Sequence, residues 1–171
     1  MLGARHPDLV GRLMIVDALP FYTLTINHAA TSETAAPHAT AMRDWLLSQS
    51  PEQIVEFQNA SIACLAKTEA VRPALVVAGI NSDRKTVADA VYELMITDLR
   101  PELGRIRAPN EIVYAFDPVF GIPAASVNTM YRQVYASASD IHFQRIDDSF
   151  HFVMLDQPER LSSAVESFLN Q

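Results

Sequence analysis

Asp147-Asp148-Ser149-Phe150-His151-Phe152-Val153-Met154-Leu155-Asp156-Gln157-Pro158 is the stretch whose reading decides the fold. Before it stands a β-prone run, Ile141-His142-Phe143-Gln144-Arg145-Ile146, and after it a run with helical spacing over residues 158–169. The histidine therefore sits in a loop that leaves the end of a strand. Rigid α/β scaffolds place reactive side chains on such loops, and histidine is the side chain whose proton affinity lies nearest neutral pH. His151 is the residue to explain.

Working outward, Pro109-Asn110-Glu111-Ile112-Val113-Tyr114-Ala115-Phe116 reads as a second strand, residues 117–123 as a loop and residues 126–136 as a helix. Near the start, Gly11-Arg12-Leu13-Met14-Ile15-Val16-Asp17-Ala18-Leu19-Pro20 is an apolar run bounded by glycine and proline, the pattern of a parallel strand buried on both faces. Residues 1–8 read as the tail of a helix that stops at His6-Pro7, because proline disfavours helical geometry in the residue before it.

The middle of the chain is helical. Residues 21–36 lack a clean period and read as loop, and residues 37–49 place Ala41, Met42, Trp45 and Leu46 at helical spacing. Ser50-Pro51-Glu52-Gln53 is a helix start, with Ser50 as cap, Pro51 at the first helical position and Gln53 three residues on. Residues 69–80 fit a buried helix or a strand. Ser82 or Asp83 then caps an amphipathic helix carrying Val87, Val91, Leu94 and Met95. The order is strand, helical insertion, strand, helix, strand, helix, with no internal repeat and no low-complexity linker.

Composition bounds the function. The 171 residues suffice for one domain's core, and 49% apolar with 19% charged residues is the profile of a globular protein. A net charge of −7 argues against nucleic acid as a partner. The longest apolar run, Pro73-Ala74-Leu75-Val76-Val77-Ala78-Gly79-Ile80, is far short of a membrane span, and no signal peptide is visible, so a cytoplasmic location is expected. Cys64 is the single cysteine, which leaves no disulfide framework or thiolate cluster.

The segment Ser149-Phe150-His151-Phe152, followed by Asp156-Gln157-Pro158-Glu159-Arg160 and a closing helix, resembles the C-terminal part of the α/β-hydrolase family. There an S-x-H-F or G-H-F segment carries the catalytic histidine before the last helix. The segments from Ser82-Asp83-Arg84 through Asp98-Leu99-Arg100-Pro101, and Tyr131-Arg132-Gln133-Val134-Tyr135, resemble a subgroup with helical caps. The resemblance favours helix for residues 69–80. It implies an α/β fold that is the C-terminal portion of an α/β-hydrolase, with residues 1–20 and 101–171 as core and 21–100 as helical cap.

The family's chemistry needs a serine on a G-x-S-x-G turn, then an acid, then a histidine. None of the five glycines belongs to such a turn. Leu2-Gly3-Ala4-Arg5-His6-Pro7 is similar to the end of the helix that begins at that turn, so the nucleophile and the oxyanion-hole donors are expected on a segment upstream.

By the same resemblance His151 is the general base and then the general acid; without the resemblance it reads as a loop histidine that only caps or hydrogen-bonds the last helix. Asp117 is the first candidate for its acid, because it follows the strand at residues 112–116 and precedes Pro123, close to the family's D-x-x-x-P pattern. Asp17, at the end of the first strand, is the second, a position some members use. Asp83 is better explained as a helix cap, and either candidate could instead be only a turn-former.

Other residues carry bland readings. Asp147 and Asp148 read as a solvated turn, and His142 as a surface residue. His6, His28 and His38 lack metal-ligand spacing. Cys64, mid-helix between Ile62 and Leu65, reads as a buried structural thiol, and Trp45, Phe57 and Met42 as ordinary helix packing.

The expectation is hydrolysis of an ester, lactone, amide or related bond of a small-molecule substrate, without a cofactor, by a chain that lacks its nucleophile and is inactive alone. The alternative is a non-catalytic truncated or degenerate product that binds a ligand or forms a homodimer across the strand edge left exposed where the upstream segment is missing.

Overall fold

The structure is a computed structural model in which residues 1–170 are described. In chain order the elements are α1 (Leu2–Arg5), β1 (Leu13–Val16), α2 (Ser32–Ser48), α3 (Pro51–Leu65), α4 (Arg72–Asn81), α5 (Arg84–Ile96), β2 (Asn110–Phe116), α6 (Ala124–Val134), β3 (Ile141–Asp147), α7 (Val153–Asp156) and α8 (Pro158–Leu169). The chain divides into two compact units, one made of Met1–Pro20, Leu65–Thr68 and everything from Leu99 onward, the other of Phe21–Cys64 and Glu69–Asp98.

The first unit is a parallel sheet in the order β1-β2-β3. Leu13 pairs with Asn110 and Val16 with Val113, and on the other side of β2 Asn110 pairs with Ile141 and Phe116 with Asp147. Alternation along each strand divides the side chains between two cores. Leu13, Ile15, Ile112, Tyr114 and Phe143 meet Ala4, Leu103, Tyr131 and Tyr135 on one face. Met14, Val16, Val113 and Ile146 meet Val153, Leu161 and Ala164 on the other. Ile112, Val113, Ile146 and Val153 are fully enclosed, and each contributes about 1.5–3 kcal/mol by leaving water.

β1 has apolar neighbours on both faces, as its sequence predicts, yet all its residues remain half-buried because it is hydrogen-bonded on one side only. The Leu13 and Asp17 amides donate to the Pro109 and Val113 carbonyls of the β2 side. Alternation therefore turns the backbone N–H and C=O groups of Met14 and Val16 to the free edge.

The second unit is helical. α3 starts as its sequence predicts: the Gln53 amide donates to Ser50 Oγ at 3.3 Å, and the Ser50 amide donates to Gln53 Oε1 at 2.8 Å. Asp83 caps α5 by accepting from the Thr86 amide at 2.8 Å. Residues 72–81 are the helix α4, with Pro73 in its first turn. α2 begins at Ser32, five residues before the expected start, because Thr31 and Thr34 form a reciprocal cap and Pro37 is accommodated inside the helix. Leu46, Ile54 and Ala88 form the core, with Met42, Phe57 and Val91 against them. Trp45 meets Phe57 edge-on at 5.1 Å. Cys64 is exposed rather than buried, since it lies two residues, roughly 200° of helix, from the inward-facing Ile62. Among the described residues no helix is long and apolar enough to cross a membrane.

Candidate catalytic site

Parallel strands end on the same side of a sheet, and the loops leaving their carboxyl ends are where such folds assemble sites. Asp17 follows β1, Asp117 follows β2, and His151 lies in the loop after β3. The structure brings Asp17, and not Asp117, to the histidine. His151 Nδ1 is 3.0 Å from Asp17 Oδ2.

Asp17 leaves β1 with a left-handed backbone, φ 46°, a conformation aspartate tolerates better than most residues. Its amide is tied to the Val113 carbonyl at 2.7 Å. Its second carboxylate oxygen, Oδ1, accepts from the Ala115 amide at 2.9 Å and from the Tyr131 hydroxyl at 3.0 Å. One oxygen is thus occupied by scaffold donors and the other faces the imidazole. Burial, reinforced by the Asp17 charge, pushes the Tyr131 phenol far above its ordinary value, so it keeps its proton and can only donate to the carboxylate.

The hydrogen bond to Asp17 raises the His151 pKa above that of a free histidine, while partial burial opposes the rise. The His151 side chain is 45% exposed, and its Nε2 has no hydrogen-bond partner among the described residues. A proton held on Nδ1 by the carboxylate leaves a lone pair on Nε2, the form a general base requires.

The loop that carries His151 is held by Asp156. Its carboxylate accepts from the amides of Phe150 at 2.8 Å, Lys67 at 3.0 Å and Thr68 at 2.8 Å. Burial raises the Asp156 pKa, but these bonds outweigh it and hold the carboxyl below its usual range. The Phe152 amide donates to the Leu65 carbonyl at 2.9 Å, so residues 65–68 brace both sides of the histidine. Sequence reasoning treated Asp156 only as an acidic residue before Pro158. Two of its three partners, Lys67 and Thr68, lie more than eighty residues away, and no local pattern announces them.

Asp117 is 5% exposed and committed elsewhere. Its Oδ2 accepts from Lys67 Nζ at 2.6 Å, and its Oδ1 accepts from the Val119 amide at 2.9 Å, capping the short turn Pro118–Phe120. The Lys67 hydrogen bond, then the Val119 amide, holds its carboxyl below the usual range. Strand alternation separates the two candidates: Asp17 continues the face of Leu13 and Ile15 toward α6, whereas Asp117 continues the face of Val113 and Ala115. Asp147 pairs with Arg145 at 2.6 Å, and Asp148 lies 3.4 Å from Lys67. His6, His28, His38 and His142 are all exposed. Among the described residues no group of three or more His, Cys, Asp or Glu side chains could hold a metal ion.

No family model and no curated protein matches the chain. Solved structures do. The chain is similar to the enol-lactonase from Burkholderia xenovorans LB400, with a TM-score of 0.72 at 15% identity over 99% of this chain and 60% of that one. It is also similar to an esterase from Exiguobacterium antarcticum, with a TM-score of 0.66 at 14% identity, covering 95% of this chain and 58% of the other. An α/β hydrolase enzyme from a Medee basin deep-sea metagenome library aligns with a TM-score of 0.60 at 13% identity, over 99% and 59%. The chain spans about three fifths of the length of these proteins. At such identities the shared property is the path of the chain, and that path, a parallel sheet flanked by helices, is that of part of an α/β-hydrolase fold.

Proposed function

We propose that this chain supplies the histidine and the orienting acid of a serine-type hydrolase that cleaves an ester, lactone, amide or related bond in a small molecule. The observation that carries the reading is the 3.0 Å contact between His151 Nδ1 and Asp17 Oδ2 on a side chain that remains nearly half exposed. In this reading Nε2 takes the proton from a serine hydroxyl as it attacks the carbonyl carbon, and then delivers that proton to the leaving group. Asp17 keeps the imidazole in the Nδ1–H form and stabilises the imidazolium. The acid is therefore Asp17 in place of Asp117, and no cofactor is required.

The serine and the oxyanion-hole donors belong, in this reading, to an upstream segment outside the 171 residues, which contain no G-x-S-x-G. The free edge of β1 supports it, because the outward amides and carbonyls of Met14 and Val16 need a neighbouring strand. So does a cleft of about 430 Å³ lined by Leu2, Val10, Leu13, Ile15, Leu19 and Leu103. The same edge favours the second reading, a non-catalytic chain that pairs with a second copy of itself.

Fluorophosphonate labelling in a lysate of the native source, followed by peptide mass spectrometry, separates the two. The expected result is label on a serine of a polypeptide that contains these residues, at a position before Leu2. His151→Ala in that polypeptide should slow labelling by on the order of 10³-fold or more. A native chain of 18.9 kDa that takes no label, alone or with any companion, overturns the hydrolase reading.

A further inference from the structure

We infer that Tyr131 is a positioning residue that aims Asp17 at His151, while Tyr135 fixes the backbone of the following residue. The inference rests on the reading of Asp17 and His151 as the acid and base of the site.

Tyr131 and Tyr135 lie four residues apart at the end of α6, which puts them on one face of the helix. Both are almost fully buried. Their hydroxyls grip two consecutive residues of the loop after β1: Tyr131 donates to Asp17 Oδ1 at 3.0 Å, and Tyr135 donates to the Ala18 carbonyl at 2.8 Å. The first bond acts on a side chain and the second on the main chain.

A carboxylate is planar, so fixing one oxygen fixes the direction of the other. The Ala115 amide alone leaves Asp17 Oδ1 with a single donor, and the group can then swivel toward water on its exposed side. The Tyr131 hydroxyl adds a second donor to the same oxygen. The Tyr131 ring is itself immobilised, stacked on Tyr114 with centroids 4.2 Å apart and planes inclined by 19°. Tyr114 is in turn held by a hydrogen bond from its hydroxyl to Asn128 Oδ1 at 2.9 Å. The titratable groups around the pair are His151 from the loop after β3, Tyr114 from β2 and Tyr135 from the end of α6. Neither phenol ionises near neutral pH, since burial raises both Tyr131 and Tyr135 well above the ordinary tyrosine value.

The test is an NMR titration of His151 in the full chain. In Tyr131→Phe the loosened carboxylate should let the His151 midpoint fall by about half a pH unit or more toward the ordinary histidine value, with loss of the slowly exchanging Nδ1 proton. Tyr135→Phe should leave the midpoint within about 0.2, because it acts on the main chain. An unchanged or raised midpoint in Tyr131→Phe overturns the proposal. If that variant lacks native amide dispersion, 3-fluorotyrosine at position 131 replaces it. Its ¹⁹F signal should titrate with the His151 midpoint, and a signal that ignores that midpoint also overturns the proposal. These readouts need no turnover: a lowered midpoint in a protein that never hydrolyses a substrate leaves the positioning intact and refutes only the hydrolase reading.

Discussion

Lys67 and Asp117 are joined by a 2.6 Å ion pair, so Asp117 is already engaged where Asp17 meets the His151 ring. Both Asp17 and Asp117 end parallel strands, but a carboxylate that neutralises a lysine and caps a turn is not available to an imidazole. Asp17→Asn should therefore abolish the raised titration of His151, and in a complete hydrolase should lower kcat by about 10⁴-fold, since the amide favours the wrong tautomer. Asp117→Asn should leave the His151 midpoint unchanged. A histidine NMR titration of the two variants checks the contrast, and a shift confined to Asp117→Asn would reverse the assignment.

The pH dependence of stability has a definite sign. The His151 pKa is raised in the folded chain by its bond to Asp17. The stabilisation is therefore fully present below the unfolded histidine value of about 6.5 and is lost as pH rises through the higher folded value. Because the side chain is nearly half exposed, solvent screening keeps the effect small, of order 1–3 °C in Tm. Thermal unfolding across that window should show a decline in the native chain that disappears in His151→Gln.

Asp156→Ala removes the acceptor for three backbone amides at once. The expected cost is about 2–4 kcal/mol, since a hydrogen bond to a charged group contributes more than a neutral one and the stranded amides must find water. Amide hydrogen exchange should accelerate at Phe150, Lys67 and Thr68 before it does in β2. Unchanged exchange at those three positions would mean that the loop is held by other bonds.

The edge of β1 predicts self-association of the isolated chain. At tens of micromolar, sedimentation should show dimers or larger species. Met14→Pro, which removes an outward N–H while leaving the bonds from Leu13 and Asp17 to β2, should shift the chain toward monomer. A native chain that stays monomeric at that concentration would mean the edge is already protected.

The architecture was legible where the information is local. Residues 109–116 and 141–146 showed their strands through β-prone composition bounded by turn residues, and Ser50-Pro51-Glu52-Gln53 showed the start of α3 through capping chemistry. The start of α2 was not legible, because a Thr-x-x-Thr cap is a weaker signal than the Pro37 that follows it. His151 stood out by its place after a strand. Asp17, the aspartate against its ring, was only the second candidate behind Asp117, because the two look alike locally and differ in their contacts with Lys67 and Tyr131, residues distant in sequence. Asp156 escaped for the same reason: a carboxylate that binds main-chain amides leaves no trace in the identity of its partners.

The four residues Leu65–Thr68 carry one more implication. They enter the sheet unit as a brief return between two helical stretches, and they contribute backbone groups to the loop around His151 plus one lysine to Asp117. Fully buried Ala66 leaves no room for a larger side chain, and Thr68 also offers its hydroxyl to the Leu155 carbonyl, but the backbone contacts depend on the length of the return. A single-residue insertion there would slide the Lys67 and Thr68 amides out of register with Asp156, damaging the histidine loop without changing any side chain in it. The return must preserve its length as well as its small buried residue and its lysine.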